Sequence, residues 1–573
     1  MAYLLSPGVN VSEIDLTTTV PQVATTAGAF AGDFVWGPAN KIETISNEVE
    51  LVNMFGTPDA NTFTSFFTCA NFLAYGQNLN VVRSVNTAIT LNATSGANAI
   101  GIANGDDYDQ SYLQVPNANT YGMFIARYPG SIGNSLKVSI FAASNTNGTT
   151  WTDSLWPWAD QFNSGPGTSK YATNVNGAND EMHIVVIDED GKFGGVANAV
   201  LEKFEYVSKA SDAKNDDGSS NYYVNVLRQK SKYIYSMNHA QAANGLSETT
   251  TWGLTASNTN FAQGSTFYTA SLANGTFNTA TTGVLELGYD HFTNPQVADI
   301  SLIMTGGHPL AVQQYVIDNL AETRKDCIAF VSPTQANTVY NTGDEATDVV
   351  AWRNAIGRSS SYTVMDSTWK YQFDKYNNVY RWVPMNGDIA GLCARTDQQR
   401  HEWFSPAGLD RGRIKNIVKL GWNPTQTDRD TLYKNSVNPV VTFPGDGTVL
   451  FGDKTMTSKP SAFDRINVRR LFITLEKAIS KAARFSLFEF NDEFTRAQFV
   501  SLVEPFLRTV KGQRGIYDYK VVCDTTNNTP DIIDTNQFVG DIYIKPARSI
   551  NFIQLNFIAV RTGVTFQIGR AHV

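Results

Sequence analysis

The sequence predicts an α+β multidomain fold. It has a mixed α/β core domain, a β-rich inserted domain that protrudes from it, and an α+β C-terminal domain bearing extended N- and C-terminal arms. Three observations predict this. Asp299–Met304, Pro309–Ala321 and Cys327–Val331 read as strand, helix and strand, a β–α–β unit that implies parallel pairing. Between about Thr87 and Leu285 the texture changes to Asn, Gly, Ser, Thr and Asp with short apolar strands, the pattern of a β-rich insertion with large loops. Both chain ends are extended: Pro7-Gly-Val-Asn-Val-Ser12 alternates apolar and polar, and Ser549–Ile568 is one long, mostly aliphatic run. A strand at a chain end needs an edge to pair with. At 573 residues the chain exceeds one core, since single cores stop growing near about 250–300 residues. The boundaries read as an arm at 1–22, a discontinuous middle domain at 23–90 plus 286–440, the insertion at 91–285, and a C-terminal domain at 441–573.

Along the chain, Gly28–Phe34 reads as a small-residue strand ending at the Gly37-Pro38 turn. Leu51, Val52 and Phe55 mark one face of a short helix closed by Gly56. Phe63–Tyr75 is a second helix and Asn80–Val85 a strand. Inside the insertion the apolar runs Gly122–Arg127, Leu136–Phe141, Met182–Ile187 and Tyr222–Leu227 read as strands, and Trp151, Trp156 and Trp158 as a small cluster pinning one loop. Trp369–Val383 is a hairpin turning at Tyr376-Asn377-Asn378, and Asp388–Gln398 a helix. Val468, Leu471, Phe472, Leu475, Ile479, Ala482 and Phe485 follow a helical stripe, with Arg469, Arg470, Glu476, Lys477, Lys481 and Arg484 on its other faces. Asn491 is placed to cap a second helix whose core stripe is Phe499, Leu502, Val503, Phe506 and Val510. Pro505 falls inside that helix and predicts a kink or break near Glu504. Strands follow at Tyr517–Cys523 and Asp541–Lys545.

Composition excludes several classes. A hydrophobic fraction of 42% and an aromatic fraction of 12% are those of a folded globular chain. No apolar run has the length of a membrane span, and no basic and apolar leader opens the chain. The four cysteines, Cys69, Cys327, Cys393 and Cys523, lack metal spacing and read as small core residues in a reducing compartment. The net charge of −9 is uneven: from Ser461 onward 15 basic and 11 acidic residues give +4, which leaves −13 for the rest. An acidic body with a mildly basic end argues against nucleic-acid binding and permits an acidic protein partner.

The chemistry-bearing motifs are weak. Thr305-Gly-Gly-His308 lies between a strand and a helix, where phosphate can bind, but a tight turn also wants glycines. Asp188-Glu-Asp-Gly191 fails as a calcium loop because Phe193 and Ala199 stand where Gly and Glu are required. His401-Glu402 beside Trp403 has no evident partner. The expectation is no catalytic, cofactor or metal residues, hence no enzyme.

What the second half does hold is an ordered series of turns: Ser405-Pro-Ala-Gly408, Asn438-Pro439, Phe443-Pro-Gly-Asp-Gly447, and Arg465–Leu471 opening the amphipathic helix. With Ser6-Pro-Gly-Val-Asn-Val-Ser-Glu-Ile-Asp15, Gly28-Ala-Phe-Ala-Gly32, Trp36-Gly-Pro38, Ala126-Arg-Tyr-Pro-Gly-Ser-Ile-Gly-Asn134 and Glu489-Phe-Asn491, this series resembles the contractile tail sheath proteins of long-tailed, myovirus-type bacteriophages. The resemblance covers most of 1–90 and 290–573 and is weak across 135–285. It implies a homo-oligomer of stacked six-fold rings around a tail tube protein, with baseplate and tail terminator proteins as further partners, no nucleic acid and no membrane insertion. It also implies assembly in the host cytoplasm, residence in the virion, and contraction that drives the tube through the host envelope. Val9, Val11 and Ile14, with Val564, Phe566 and Ile568, become the expected inter-subunit arms. Arg469, Arg470, Lys481 and Arg484 become the expected tube-facing basic residues. A sheath of a secretion-system or bacteriocin type is the related alternative, and a glycan-binding adhesin the distant one.

Overall fold

Five strands run parallel at the centre of the computed structural model: Gly28–Gly32, Leu79–Arg83, Leu302–Met304, Ile328–Val331 and Thr363–Met365. Ile42–Ile45 adds an antiparallel edge to Leu79–Arg83, completing a six-stranded sheet in the spatial order 363–365, 328–331, 302–304, 28–32, 79–83, 42–45. The structure describes residues 25–114, 116–142, 151, 155–239, 251–262, 267–551 and 554. The chain divides into two compact units, 1–489 and 490–573.

Parallel strands need cover on both faces, which is why these run almost wholly apolar. Phe30 points to one face, into a core with Met304 and Phe330 of the neighbouring strands and Phe66, Phe72, Ile389 and Leu392 from the helices Phe63–Leu73 and Asn386–Gln399. Ala29 and Ala31 point to the other, against Leu285, Tyr289, Val312, Val316 and Leu320. Gly28 is required by close approach, since a Cβ there would lie 2.7 Å from the Phe72 ring. The β–α–β unit forms as expected, with strands Leu302–Met304 and Ile328–Val331 in parallel. The connecting helix Leu310–Tyr315 continues as a π-helical turn, Val316–Ala321. The hairpin is also as read, Trp369–Asp374 against Val379–Pro384.

Residues between the second and third of these parallel strands in sequence build a separate core. Ala199–Ser208, Glu181–Asp188, Leu136–Ala142 and Tyr268–Ser271 form an antiparallel sheet in that order. One of its faces buries Val138, Ile140, Ile184 and Val186 with Tyr223 and Leu227. The other carries Phe141, Val185 and Ile187 under the tryptophan loop, where Trp156 is fully buried and donates from Nε1 to Ser139 Oγ at 2.8 Å. The expected strand Tyr222–Leu227 is instead the helix Tyr223–Lys230. Tyr223, Val226 and Leu227 satisfy the helical i, i+3, i+4 rule as well as a strand pattern, and packing decides between them. The acidic turn is held by Asp188, whose carboxylate accepts from Ser135 Oγ and from the backbone N–H groups of Lys192, Phe193 and Gly194.

The 490–573 unit has a helix, Glu493–Gly512, and the antiparallel pair Ile516–Val522 with Asp541–Pro546. Asp492, not Asn491, caps the helix by accepting from the Thr495 N–H at 2.8 Å; Asn491 instead donates to Asn528 and to the Gln537 carbonyl. The helix continues through Pro505, so of the expected kink or break near Glu504 the break does not occur. Pro505 and Ser501, one turn earlier, are both exposed, so a carbonyl that the proline cannot satisfy faces water.

The insertion is tied to the central sheet at Arg83, which is fully buried at the end of its strand. Its guanidinium donates to the carbonyls of Phe34 at 2.8 Å, Gly37 at 2.8 Å and, across the neck, Pro129 at 2.6 Å. Burial pulls its pKa down to about 9, with Asp33 and Tyr128 working in the other direction. Each carbonyl left unpaired by its loss costs about 1–3 kcal/mol. Arg83→Met is therefore expected to destabilise the chain by several kcal/mol and to expose the neck near Pro129 to limited proteolysis. Denaturant unfolding within about 0.5 kcal/mol of wild type, the range of neutral surface changes, would sink this assignment.

Candidate functional site

In open α/β sheets ligands bind beyond the carboxyl ends of the strands. That edge is filled here by side chains bonded to one another. Asn386 donates to the Gly306 carbonyl at 2.7 Å and to Ser332 Oγ at 2.8 Å, and accepts from the Gly306 N–H at 3.0 Å. Ser332 donates to Asp366 Oδ2 at 2.5 Å. Lys370 and Asp388 form a fully buried ion pair at 2.9 Å; Tyr75 also donates to Asp388 Oδ1, and the Lys415 carbonyl accepts from Lys370. Asp388 Oδ2 has no hydrogen-bond partner. The Thr305–His308 turn serves the fold: His308 is buried, its Nε2 lies 2.7 Å from the Ala31 carbonyl, and its ring stacks on Phe30. His401 stacks on Trp403, and Glu402 accepts from the Thr25 hydroxyl. Among the described residues no three His, Cys, Asp or Glu side chains are grouped to hold a metal ion.

The amphipathic helix runs Ile466–Ala483 and belongs to the 1–489 unit. Its first half is buried on nearly every face, which corrects part of the sequence reading. Arg469 and Arg470 are 5% and 4% exposed, so neither presents charge to solvent. Arg470 pairs with Asp397 at 2.5 Å. Burial opposes its charge, but Asp397 and further acidic neighbours outweigh burial and hold the guanidinium protonated. Removing one partner of such a pair typically costs about 3–5 kcal/mol. Arg469 sits between the rings of Phe463 and Tyr362, 3.8 Å and 4.2 Å from their centroids. The alternation of charge with apolar residues here marks internal ion pairing and cation–π packing, which a helical stripe cannot distinguish from a solvated face. The second half differs. Lys481 is half-exposed and reaches Asp299 at 3.4 Å, while Lys477 bonds Asp299, Ser301 and the Ile300 carbonyl. Arg484 is exposed, and so is Phe485, at 77%, although the stripe counted it as core.

The hairpin of the 490–573 unit is two-stranded among the described residues. Tyr519, Val521, Ile542 and Ile544 are half-buried on one face; Lys520, Tyr543 and Lys545 are exposed on the other. A lone two-stranded ribbon is marginal in water, and both of its outer edges are templates for strand addition. The expected arm residues Val9, Val11, Ile14, Val564, Phe566 and Ile568 lie outside the described residues.

With this geometry in hand, comparison with known proteins is informative. Residues 25–83 match the family described as tail sheath protein Gp18 domain III N-terminal region. Residues 274–456 match the phage tail sheath protein central domain, and 458–559 the phage tail sheath C-terminal domain. The tail sheath proteins of Vibrio phage KVP40 and Enterobacteria phage T4 are 34% and 35% identical, with 98% of this chain aligned in each case and 99% and 98% of the relatives. Sheath tail proteins from Listeria innocua and Desulfitobacterium hafniense share the fold, each with a TM-score of 0.51 at 11% identity. They cover 91% and 94% of this chain and 94% and 100% of their own.

The sheet-edge cluster makes a pH prediction. Burial raises the Asp366 carboxyl to about 8; its bonds from Ser332 and Thr368 oppose this and Asp388 adds to it. A folded pKa above the unfolded 3.8 means that the folded state holds the proton more tightly. That stabilisation is complete below about pH 4 and is lost as pH rises through about 8. Asp366→Asn should remove this fall, so the stability difference between wild type and variant should shift in the variant's favour between pH 5 and 8. A difference independent of pH in denaturant titrations would show that Asp366 is ionised throughout.

Proposed function

This chain belongs to the phage tail sheath protein family, and on that premise we propose that it polymerises as stacked six-membered rings around an inner tail tube and contracts to drive the tube through the host envelope. The observation that carries this reading is end-to-end relatedness to tail sheath proteins at 34–35% identity. The physical support lies in the chain ends. Among the described residues the outer edges of the 516–546 hairpin pair with no third strand and so offer backbone donors and acceptors, and each added strand bond is worth about 0.5–1.5 kcal/mol net. On this reading the chain ends, with Val9, Val11, Ile14, Val564, Phe566 and Ile568, supply the pairing to neighbouring copies. Joints made by exchanged strands keep subunits connected while the domains re-pack against new faces. No nucleotide is consumed; an extended assembly held by few contacts gives way to one that buries more surface.

Of the four basic candidates for the tube, Lys481 and Arg484 carry the proposal, because Arg469 and Arg470 are spent inside the fold. Tail tube, baseplate and terminator proteins are the partners, and the virion is the place of action.

Purified full-length chain is expected to form hollow striated tubes by electron microscopy; stable monomers at high concentration would overturn the sheath reading. Lys481→Glu with Arg484→Glu is expected to weaken co-assembly with the tube and leave sheath-only polymers intact, and unchanged co-assembly would remove the tube-facing role. Deleting residues 1–16, or everything after Ala547, should leave the middle domains folded and abolish polymers. Long tubes from either truncation would disprove arm exchange.

A further inference from the structure

The hairpin Trp369–Asp374/Val379–Pro384 is inside out. Three of its inward positions are polar, beside the apolar Val383: Lys370, Gln372 and Asp374 are 0%, 3% and 0% exposed, and Asp374 pairs there with Arg381. Its outward positions are aromatic. Tyr371 faces Trp382 across the strands and Phe373 faces Tyr380. The rings form a continuous ladder: Phe373 to Tyr380 at 5.2 Å, Tyr380 to Tyr371 at 5.4 Å, Tyr371 to Trp382 at 4.7 Å and Trp382 to Tyr340 at 6.3 Å. Phe373 is 46% exposed, Tyr380 52% and Tyr340 87%. Because side chains alternate strictly along a strand, a one-residue shift in register would have put these rings inside. The polar set is instead fixed inward by the Lys370–Asp388 pair. Tyr340 adds a further sign: a bulky residue held at φ +60°, a conformation that disfavours it, projects its ring to the end of the ladder. Five aromatic rings on one surface exceed the scattered apolar residues normal for a monomer.

The geometry points to a second copy of this chain as the occupant of this face, an inference that rests on the sheath reading above. At the centre of the ladder Tyr371 and Tyr380 spend a face on each other. Tyr371 stacks on Tyr380 at 20° and packs against Trp382 at 41°, so the ladder presents ring edges and not the open flat platform that a sugar would stack on. Ring edges carry the positive end of the aromatic quadrupole. The exposed Lys419 ammonium lies over the ring faces, 5.2 Å from the Tyr371 centroid and 5.6 Å from that of Trp382, and closes them to a stacking ligand. The surface is thus apolar and electropositive, and its complement is a carboxylate-bearing surface. The chain supplies one in abundance, since residues 1–460 carry 42 acidic against 29 basic side chains. Val379–Pro384 is also the outer strand of its three-stranded sheet, so the partner meets backbone groups alongside the rings.

The test uses the full chain. A benzophenone amino acid at position 340 is expected to crosslink one copy to another in assembled tubes, at an acidic stretch of residues 1–460. Tyr340→Ser/Phe373→Ser/Tyr380→Ser, and separately Lys419→Glu, should keep wild-type circular dichroism and thermal unfolding. Each should raise the concentration needed for assembly by about tenfold, the effect of about 1.4 kcal/mol lost per contact. Tubes that form at the wild-type concentration from both variants, or that give no copy-to-copy crosslink from position 340, would overturn this inference and leave the sheath reading standing. Failure of the wild-type chain to form tubes would remove both. Saturable binding of host-envelope polysaccharide that the triple variant loses, with its tubes intact, would assign the face to a glycan instead.

Discussion

The buried guanidinium of Arg83 is the constraint on which the two-core arrangement of the first unit depends. The chain leaves the central sheet after this residue and returns near Ala280, and a polar neck holds the two passages together. Asp33 accepts from the Ala280 N–H, Thr90 accepts from the Asn278 N–H, and Asn40 exchanges bonds with Val85. These contacts would permit swinging if the strand end were free. Arg83 removes that freedom, because one planar fork satisfies carbonyls from both sides of the neck at once. Lysine has the charge but not the fork, and so could not reach all of these carbonyls.

A second theme is that this chain keeps charge inside and aromatic surface outside at selected places. Lys370 with Asp388, Arg470 with Asp397, and Arg469 between two rings are all internal. Buried pairs of this kind add little net stability over apolar substitutes, and register fixing is the best-attested use of buried polar groups. Here the inward polar set goes with a hairpin face that is aromatic and exposed, and with a long helix locked at one rotation. Under the polymerisation proposed above, fixed presentation of surfaces matters more than the last few kcal/mol of monomer stability. The hairpin of the second unit belongs to the same logic, as a two-stranded pair among the described residues.

Most elements were legible because their signals were local. The β–α–β unit, the helix closed by Gly56, the hairpin at Asn377 and the acidic turn at Asp188 follow from turn residues and periodicity within about ten residues. The failures share one cause. Tyr222–Leu227 satisfies both strand and helix periods, and burial against the insertion sheet chose helix. Pro505 was weighed by propensity alone, whereas its exposed position lets water take the place of the missing bond. Arg469 and Arg470 were placed outside because charge normally faces solvent, and only a partner about 70 residues earlier in the chain, Asp397, brings Arg470 inside.

By itself the sequence determined the parallel core, the β-rich insertion and the sheath resemblance, since each is written in the order and spacing of neighbouring residues. The tertiary structure alone decided which charges are spent in the interior, which alternating face of the 369–384 hairpin looks outward, and how Arg83 clasps the neck. The reason is physical. Periodicity gives a strand two faces and a helix a stripe, but which of them meets water depends on desolvation and on partners dozens to hundreds of residues away, where no local pattern carries the information.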